Sequence, residues 1–424
     1  MNAAISWKRV QLGNLIVTQK GFAFKSAWYC ETGCPIVKVS DFTNDSVDAR
    51  SLTKIPDEIA EKHLRYELRE GDVVIQTVGS WPTNPASVVG KCIRVPRAAH
   101  KALLNQNAVR LSPSNEIENR YLYYSLRSPQ FCNYIVGTAQ GAANQAAITL
   151  DAIRSYDLTI PPLPIQRKIA AILSAYDDLI EHNLRRIKIL EEMAQNLYRE
   201  WFVKFRFPGH QETRLVDSSR GKIPEGWEMV PLGKLAKMQK EKFNEKLHAE
   251  CPLLDLAKMQ QGTLSLGETG NPNELKTSRI IFEEDDILFG SIRPYLHKVA
   301  LAPYRGVTNT SVLVIRPVEK ILQSFLPVFL SSIDTIRWAD QHSTGTKMPV
   351  IKWESLQSMP LLLPSRSLLQ VFESFVKPML QNVKMESSRN QTLRRTRNLL
   401  LPKLISGEVD VSELDITLPG EVEA

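Results

Sequence analysis

Fourteen side chains able to read or grip a polyanion lie in short polar segments between apolar runs. In the first half of this 424-residue chain they are Lys20, Lys25, Gln76, Ser80, Trp81, Asn84, Gln140, Asn144 and Gln145. In the second half they are Arg293, Tyr295, Lys298, Thr344 and Lys347. Gln and Asn can hold adenine by two hydrogen bonds, Arg or Lys can hold guanine, and Lys and Arg also neutralise phosphates. Gln76, Ser80, Trp81, Arg293 and Tyr295 are favoured because a strand-to-loop exit fixes their direction. For the rest, solvated loop residues are the plainer alternative, and Trp81 reads equally well as a plug in a core.

No catalytic constellation accompanies these groups. An Asn-Pro-Pro-aromatic tetrapeptide for amino-methyl transfer is missing, the nearest string being Asn84-Pro85-Ala86-Ser87. Gly90-Lys91 is followed by Cys92 and lacks the upstream glycine of a nucleotide-binding loop. Pro56-Asp57-Glu58 reads as a helix start, and the acids Glu283 to Asp286 read as a turn, like Glu70-Gly71-Asp72. His63, His100, His297 and His342 are scattered, and Cys30 and Cys34 have no second close pair to complete a zinc site. Cys92, Cys132 and Cys251 read as small buried hydrophobes. The residues describe a reader, with no cofactor or metal expected on the chain itself.

The elements that must position these loops occur twice. Trp7, Val10, Leu12, Gly13 and Leu15 return as Trp227, Val230, Leu232, Gly233 and Leu235. Gly141, Ile148, Ile153, Leu158, Ile160 and Pro161 return as Gly345, Ile351, Leu356, Leu361, Leu363 and Pro364. Each half therefore is a mixed α/β domain followed by a long helix. IVTQKGFAFKS, CPIVKVSDF, GDVVIQTVGS and NAVRLSP predict strands in the first half, and CPLLDLAKM, DDILFGSI and SVLVIRP in the second. NRYLYYSLRSPQFCNYIV predicts a helix from an Asn cap, with SFLPVFLSSIDTIRWA as its counterpart. Two copies of one unit tend to pack about a pseudo-twofold axis, and a target read by them comes in two separated halves.

From Pro164 to Lys204 the chain has no Gly and no further Pro, as a long helix requires. Ile169, Tyr176, Asn183, Leu190 and Leu197 fall seven apart, flanked by Ile172, Leu179 and Met193 on one side and by Leu173, Ile180, Ile187 and Ala194 on the other. Phe372, Leu393 and Leu400 belong to a matching stripe near the C-terminus, where Pro378 predicts a bend. Rods of about 40 residues, roughly 60 Å long, are expected to pair antiparallel, since an isolated apolar stripe is marginal in water. Asn183 and the aligned Glu386 are polar within the seam, either setting its register or marking solvent exposure.

The net charge is +7, and residues 408–424 hold six acids and no Lys or Arg, so residues 1–407 carry +13. That balance favours a nucleic-acid partner. No apolar run spans a bilayer, MNAAISWKRV lacks the core of a signal peptide, and five cysteines show no disulfide framework. A cytoplasmic protein without membrane contact is expected.

The chain resembles the specificity subunit (S, or HsdS) of type I restriction-modification systems over nearly its whole length. The residues that carry the resemblance are WKRVQLG and PEGWEMVPLG, GFAFKS followed by Tyr29, and EGDVVI and EDDILFGSIRP. PPLPIQRKIAAILSAYDDLIEHN and LRRTRNLLLPKLISGEVD are the most specific. The resemblance implies an α+β architecture of two pseudo-symmetric target recognition domains, 1–160 and 206–364. Spacer helices at 161–205 and 365–407 would form an antiparallel coiled coil, with an acidic tail at 408–424. It further implies a bipartite double-stranded DNA target, two modification (methyltransferase) subunits and restriction motor-nuclease subunits as partners. S-adenosylmethionine, Mg2+ and ATP would then sit on those partners. A stand-alone twofold DNA-binding regulator and a non-catalytic assembly scaffold remain as alternatives.

Overall fold

The structure, a computed structural model, describes residues 6–43, 45–81, 88–141, 145–218, 221–275 and 277–416. It divides into two compact units, Met1–Asp177 with Arg395–Ala424, and Asp178–Arg394. The division cuts through both long helices, so each unit contains one copy of the repeated domain and a stretch of both helices.

Each unit is built on an antiparallel four-stranded sheet of the same order. In the first the order is Ile16–Lys20, Ala108–Pro113, Val73–Gln76, Cys92–Arg94. In the second it is Ala236–Met238, Val312–Pro317, Ile287–Gly290, Val299–Leu301. The inner strands VVIQ and ILFG are buried on both faces, which is why they read as unbroken apolar runs rather than alternating ones. Val73 and Ile75 face a cluster with Tyr121 and Leu122, while Val74 packs with Ile93 on the opposite side. The repeated residues also pair alike: Val10 opposes Leu158, and Val230 opposes Leu361.

Three local expectations are corrected. NRYLYYSLRSPQFCNYIV forms two helices, Asn119–Ser125 and Pro129–Gly137, because Pro129 lacks an N–H and starts a new helix capped by Ser128. Glu118, not Asn119, caps the first of these, accepting from Tyr121 N at 2.6 Å. The counterpart divides likewise into Phe325–Leu330 and Ile333–Gln341. CPLLDLAKM is not a strand: Leu253 makes isolated bridges to Gly270 and Val307, and Asp255 then accepts from Lys258 N at 3.0 Å, turning the chain.

The long helices run from Leu163 to Tyr198, followed by a π turn at Arg199–Val203, and from Arg366 to Ser406. The second passes through Pro378 without interruption. In the second unit, Asn183 Nδ2 donates to Asn390 Oδ1 at 2.9 Å, and the Trp201 and Phe372 rings lie 5.9 Å apart, so the helices are antiparallel. Asn183 is buried in the seam, and Glu386, fully buried, pairs with Arg186 at 2.9 Å and Arg389 at 3.4 Å. These polar partners offset the cost of removing amide and carboxylate groups from water. In the first unit Ile169 and Leu173 share a core with Leu401, Leu404 and Ile405.

The most buried row is Leu173, Ile180, Ile187 and Ala194. Ile169 and Phe372 are also buried, whereas Tyr176, Leu190, Leu197, Leu393 and Leu400 are half-buried at the seam edge. On the other flank Leu179 is 52% and Met193 48% exposed, while Ile172 is half-buried against the first unit's core. A helix presents two adjacent rows to one partner helix, and the third row is left to solvent.

Candidate nucleic-acid interface

Three polar loops meet at one end of each sheet, and main-chain hydrogen bonds bring them together. In the first unit Thr77 N donates to Asn107 O at 2.9 Å, and Ile148 N donates to Thr77 O at 2.9 Å. Val78–Gly79 pairs with Ala146–Ala147. In the second unit Ser291 N donates to Ser311 O at 2.9 Å, and Ile351 N donates to Ser291 O at 2.9 Å. Ile292 and Thr344 both bridge to Val350. Thr77 and Ser291 therefore occupy equivalent crossing points of a strand exit, a hairpin turn and the loop after a helix.

This geometry sorts the candidates of the first unit. Gln140 and Gln145 are exposed on the loop that meets the strand exit, and Ser80, half-buried, bridges to Val88. Lys20 ends its strand exposed, and Phe22 beside it bridges to Asn105 of the hairpin turn. Lys25 is exposed with its Nζ 5.5 Å from the Trp28 ring. Gln76 is not surface-presented: it is 0% exposed, and its Nε2 donates to Val78 O at 2.9 Å, which braces the strand exit. Trp81 is half-buried against the core, as the plug reading has it. Asn84 and Asn144 lie outside the described residues.

In the second unit Arg293 and Tyr295 stand on the strand-exit loop, with Tyr295 53% exposed. Arg293 N donates to Pro349 O at 2.7 Å, which joins that loop to the segment carrying exposed Thr344 and Lys347. Arg293 adopts φ 50° and ψ 67°, a left-handed conformation that disfavours a side chain. Its buried Nε has no hydrogen-bond partner among the described residues. A left-handed backbone and an unpaired buried donor both cost stability at this position. Lys298 does not project outward, since its Nζ donates to Leu256 O at 2.7 Å and burial lowers its pKa. A cleft of about 180 Å³ beside this loop is lined in part by Lys240, Ser291, Thr310 and Lys352.

The hairpin turns Asn105-Gln106-Asn107 and Asn309-Thr310-Ser311 belong to the same platform and were not singled out from sequence. Their signal was present: a polar triplet stands just before AVRLSP in one half and VLVIRP in the other.

The remaining reactive side chains do not assemble. Among the described residues no group of three or more His, Cys, Asp or Glu could hold a metal. Asp57–Glu61 is a short helix, and the turns at Gly71 (φ 87°) and Asp285 (φ 68°) are equivalent, with Arg110 near Asp72 and Arg316 paired to Asp286 at 2.6 Å. Cys92 is buried, but Cys132 is exposed and Cys251 half-buried. Helix Pro129–Gly137 turns Phe131 and Ile135 inward and leaves Cys132 on its outer face. No helix among the described residues is long and apolar enough to cross a membrane.

Comparison with known proteins agrees with this duplicated platform. Residues 5–192 and 224–394 match the family described as the type I restriction modification DNA specificity domain. The chain is similar to the type I restriction enzyme MjaIX specificity subunit of Methanocaldococcus jannaschii, with 25% identity over 321 residues and 73% of each chain covered. It is also similar to the HindI specificity subunit of Haemophilus influenzae, 20% identical, with 95% of this chain and 99% of that one covered. Among solved structures, the type I restriction-modification S subunit from M. genitalium matches with a TM-score of 0.55 at 15% identity, over 95% of this chain and 97% of that one. That last likeness is one of fold.

Proposed function

Since the chain belongs to the type I restriction modification DNA specificity domain family, we propose that each unit's loop platform reads one half of a bipartite, asymmetric DNA target. The supporting observation is that the same three-loop crossing, at Thr77 and at Ser291, is built twice from one strand order. Different side chains on equivalent frames suit two different half-sites. The +13 carried by residues 1–407 supplies the sequence-independent part of the attraction.

The helix pair is the scaffold for two methyltransferase subunits and for the motor-nuclease subunits. Within the second unit, Leu179, Ile189 and Met193 on one helix and Val371, Phe375 and Met385 on the other are exposed apolar side chains. Such stripes suit partner helices better than water. Co-expression with a modification partner, followed by methylation mapping of cellular DNA, tests the whole reading. A two-part motif supports it, and an unmodified genome despite a stable complex overturns it.

The chain is a non-catalytic subunit in this proposal, and S-adenosylmethionine, Mg2+ and ATP belong to its partners. Purified alone, it neither binds S-adenosylmethionine nor methylates or cuts DNA. Calorimetry and a single-turnover methyl-transfer assay check this, and stoichiometric transfer by the isolated chain refutes it.

Arg293 is the strongest candidate for a direct base contact. Arg293→Ala is expected to cost about 1–3 kcal/mol and to relax one position in the half-site read by the second domain. Competition among duplexes with single base changes measures it. A uniform loss across all sequences makes Arg293 a phosphate contact, and no change places it off the interface.

A further inference from the structure

Two side chains one turn apart on the first long helix tie down the recognition loop of the second unit. Glu191 Oε1 accepts from Leu264 N at 2.6 Å and from Thr263 Oγ1 at 2.7 Å. The preceding Gly262 donates its N–H to His297 O at 2.8 Å. Gln195 Nε2 donates to Val328 O and Ser331 Oγ, both at 2.8 Å. The Ser331 carbonyl in turn accepts from His297 Nε2 at 2.8 Å. Both routes from the helix end on His297.

His297 closes the short turn that Arg293 opens, and it too is left-handed, with φ 51° and ψ 53°. Two non-glycine residues held this way four positions apart need their surroundings to over-determine them. The bonds from Glu191 and Gln195 meet that need at the closing end, as Pro349 O does at the opening end. In the first unit the same helix bonds to Asn119–Ser125, the counterpart of Phe325–Leu330: Asp177 accepts from the Tyr124 hydroxyl at 2.6 Å and Ser174 from Arg120 at 2.8 Å.

We propose that Glu191 and Gln195 are positioning residues for base reading, through which the spacer helix sets the attitude of the 291–298 loop. The inference rests on the reading of that loop as DNA-facing. Neither side chain touches DNA. Loosening either bond lets the turn relax toward an ordinary backbone, so that Arg293 no longer meets one base edge at a fixed angle. Burial lifts the Glu191 carboxyl to about 7, so a neutral acceptor is close to what this site already holds, and Glu191→Gln keeps an oxygen for the Leu264 N–H.

The experiment uses the full chain with its modification partner, once the methylated motif is mapped. Binding is measured to duplexes altered singly in either half-site, for Glu191→Ala, Glu191→Gln and Gln195→Ala. Discrimination is expected to fall about fivefold to tenfold in the second half-site for both alanine variants, as the loss of ordinary hydrogen bonds implies. It stays unchanged in the first half-site and is restored in Glu191→Gln. Equal losses in both halves, or unaltered discrimination in both alanine variants, overturn the positioning role. If Glu191→Ala does not fold, Gln195→Ala decides the matter alone. A wild-type complex that shows no two-part motif instead overturns the DNA reading, which is a separate result from a normal motif with neutral variants.

Discussion

Exchanging residues 1–160 for the corresponding domain of a relative changes one half of the methylated motif and leaves the other half as it was. Exchanging 206–364 does the reverse. The pieces are suitable units because each keeps its own pairing intact: Lys8–Gln11 with Asp157–Ile160 in one, and Glu228–Pro231 with Pro360–Leu363 in the other. Each also contains all three loops of its crossing. A donor domain must still meet the helix that carries Asp177, which accepts from the Tyr124 hydroxyl at 2.6 Å, so donors with a hydroxyl at that position are preferred. Methylation mapping reads the outcome. A hybrid that alters both halves of the motif, or that merely fails to fold with every donor, counts against separate readers.

Inserting seven residues into both long helices is expected to lengthen the unread spacer while both half-site sequences stay the same. Seven residues restore the heptad and add about 10 Å of helix, close to three base pairs of duplex. The natural half-sites are expected about one helical turn apart, roughly 34–36 Å between centres. A three-residue insertion in one helix alone has a different result. It separates Asn183 from Asn390, leaving buried amides without partners at about 1–3 kcal/mol each, and takes Arg186 from Glu386, which keeps only Arg389. The variant loses thermal stability before it gains a new spacing. Mapping the seven-residue variant decides the idea: full activity on an unchanged spacer means that something other than these helices sets the distance.

The parts of this molecule legible in its sequence are those where an apolar period recurs. Val73–Gln76 and Ile287–Gly290 were visible as strands because both faces are buried, and the rods because rows seven apart persist without glycine. Where local hydrogen bonding competes with the period, legibility fails. Ser128 and Pro129 cut a helix that the apolar spacing carries straight through, and Asp255 turns a run that looks like a strand. Pro378 does not interrupt the second helix, whose flanking residues Phe372, Val376 and Leu380 are buried.

For the candidate site, the sequence shows which loops are polar but not which way their side chains turn. A polar residue at a strand exit can face out or in, and the next few atoms decide it. Gln76 turns inward because the Val78 carbonyl is within reach of its amide, and Lys298 because the Leu256 carbonyl captures its ammonium. Arg293 stays a candidate because its backbone is forced into a strained turn, a property no pattern of residue types reveals.

The crossings at Thr77 and Ser291 are tied chiefly through backbone atoms. Main-chain bonds do not depend on which side chain a residue carries, so the frame survives while the residues along it change. If the platforms read DNA as proposed, single substitutions at exposed positions such as Gln145, Tyr295 or Thr344 are expected to change what is recognised without rebuilding the fold. A frame of this kind behaves like a printer's forme, locked at the edges while the letters are reset.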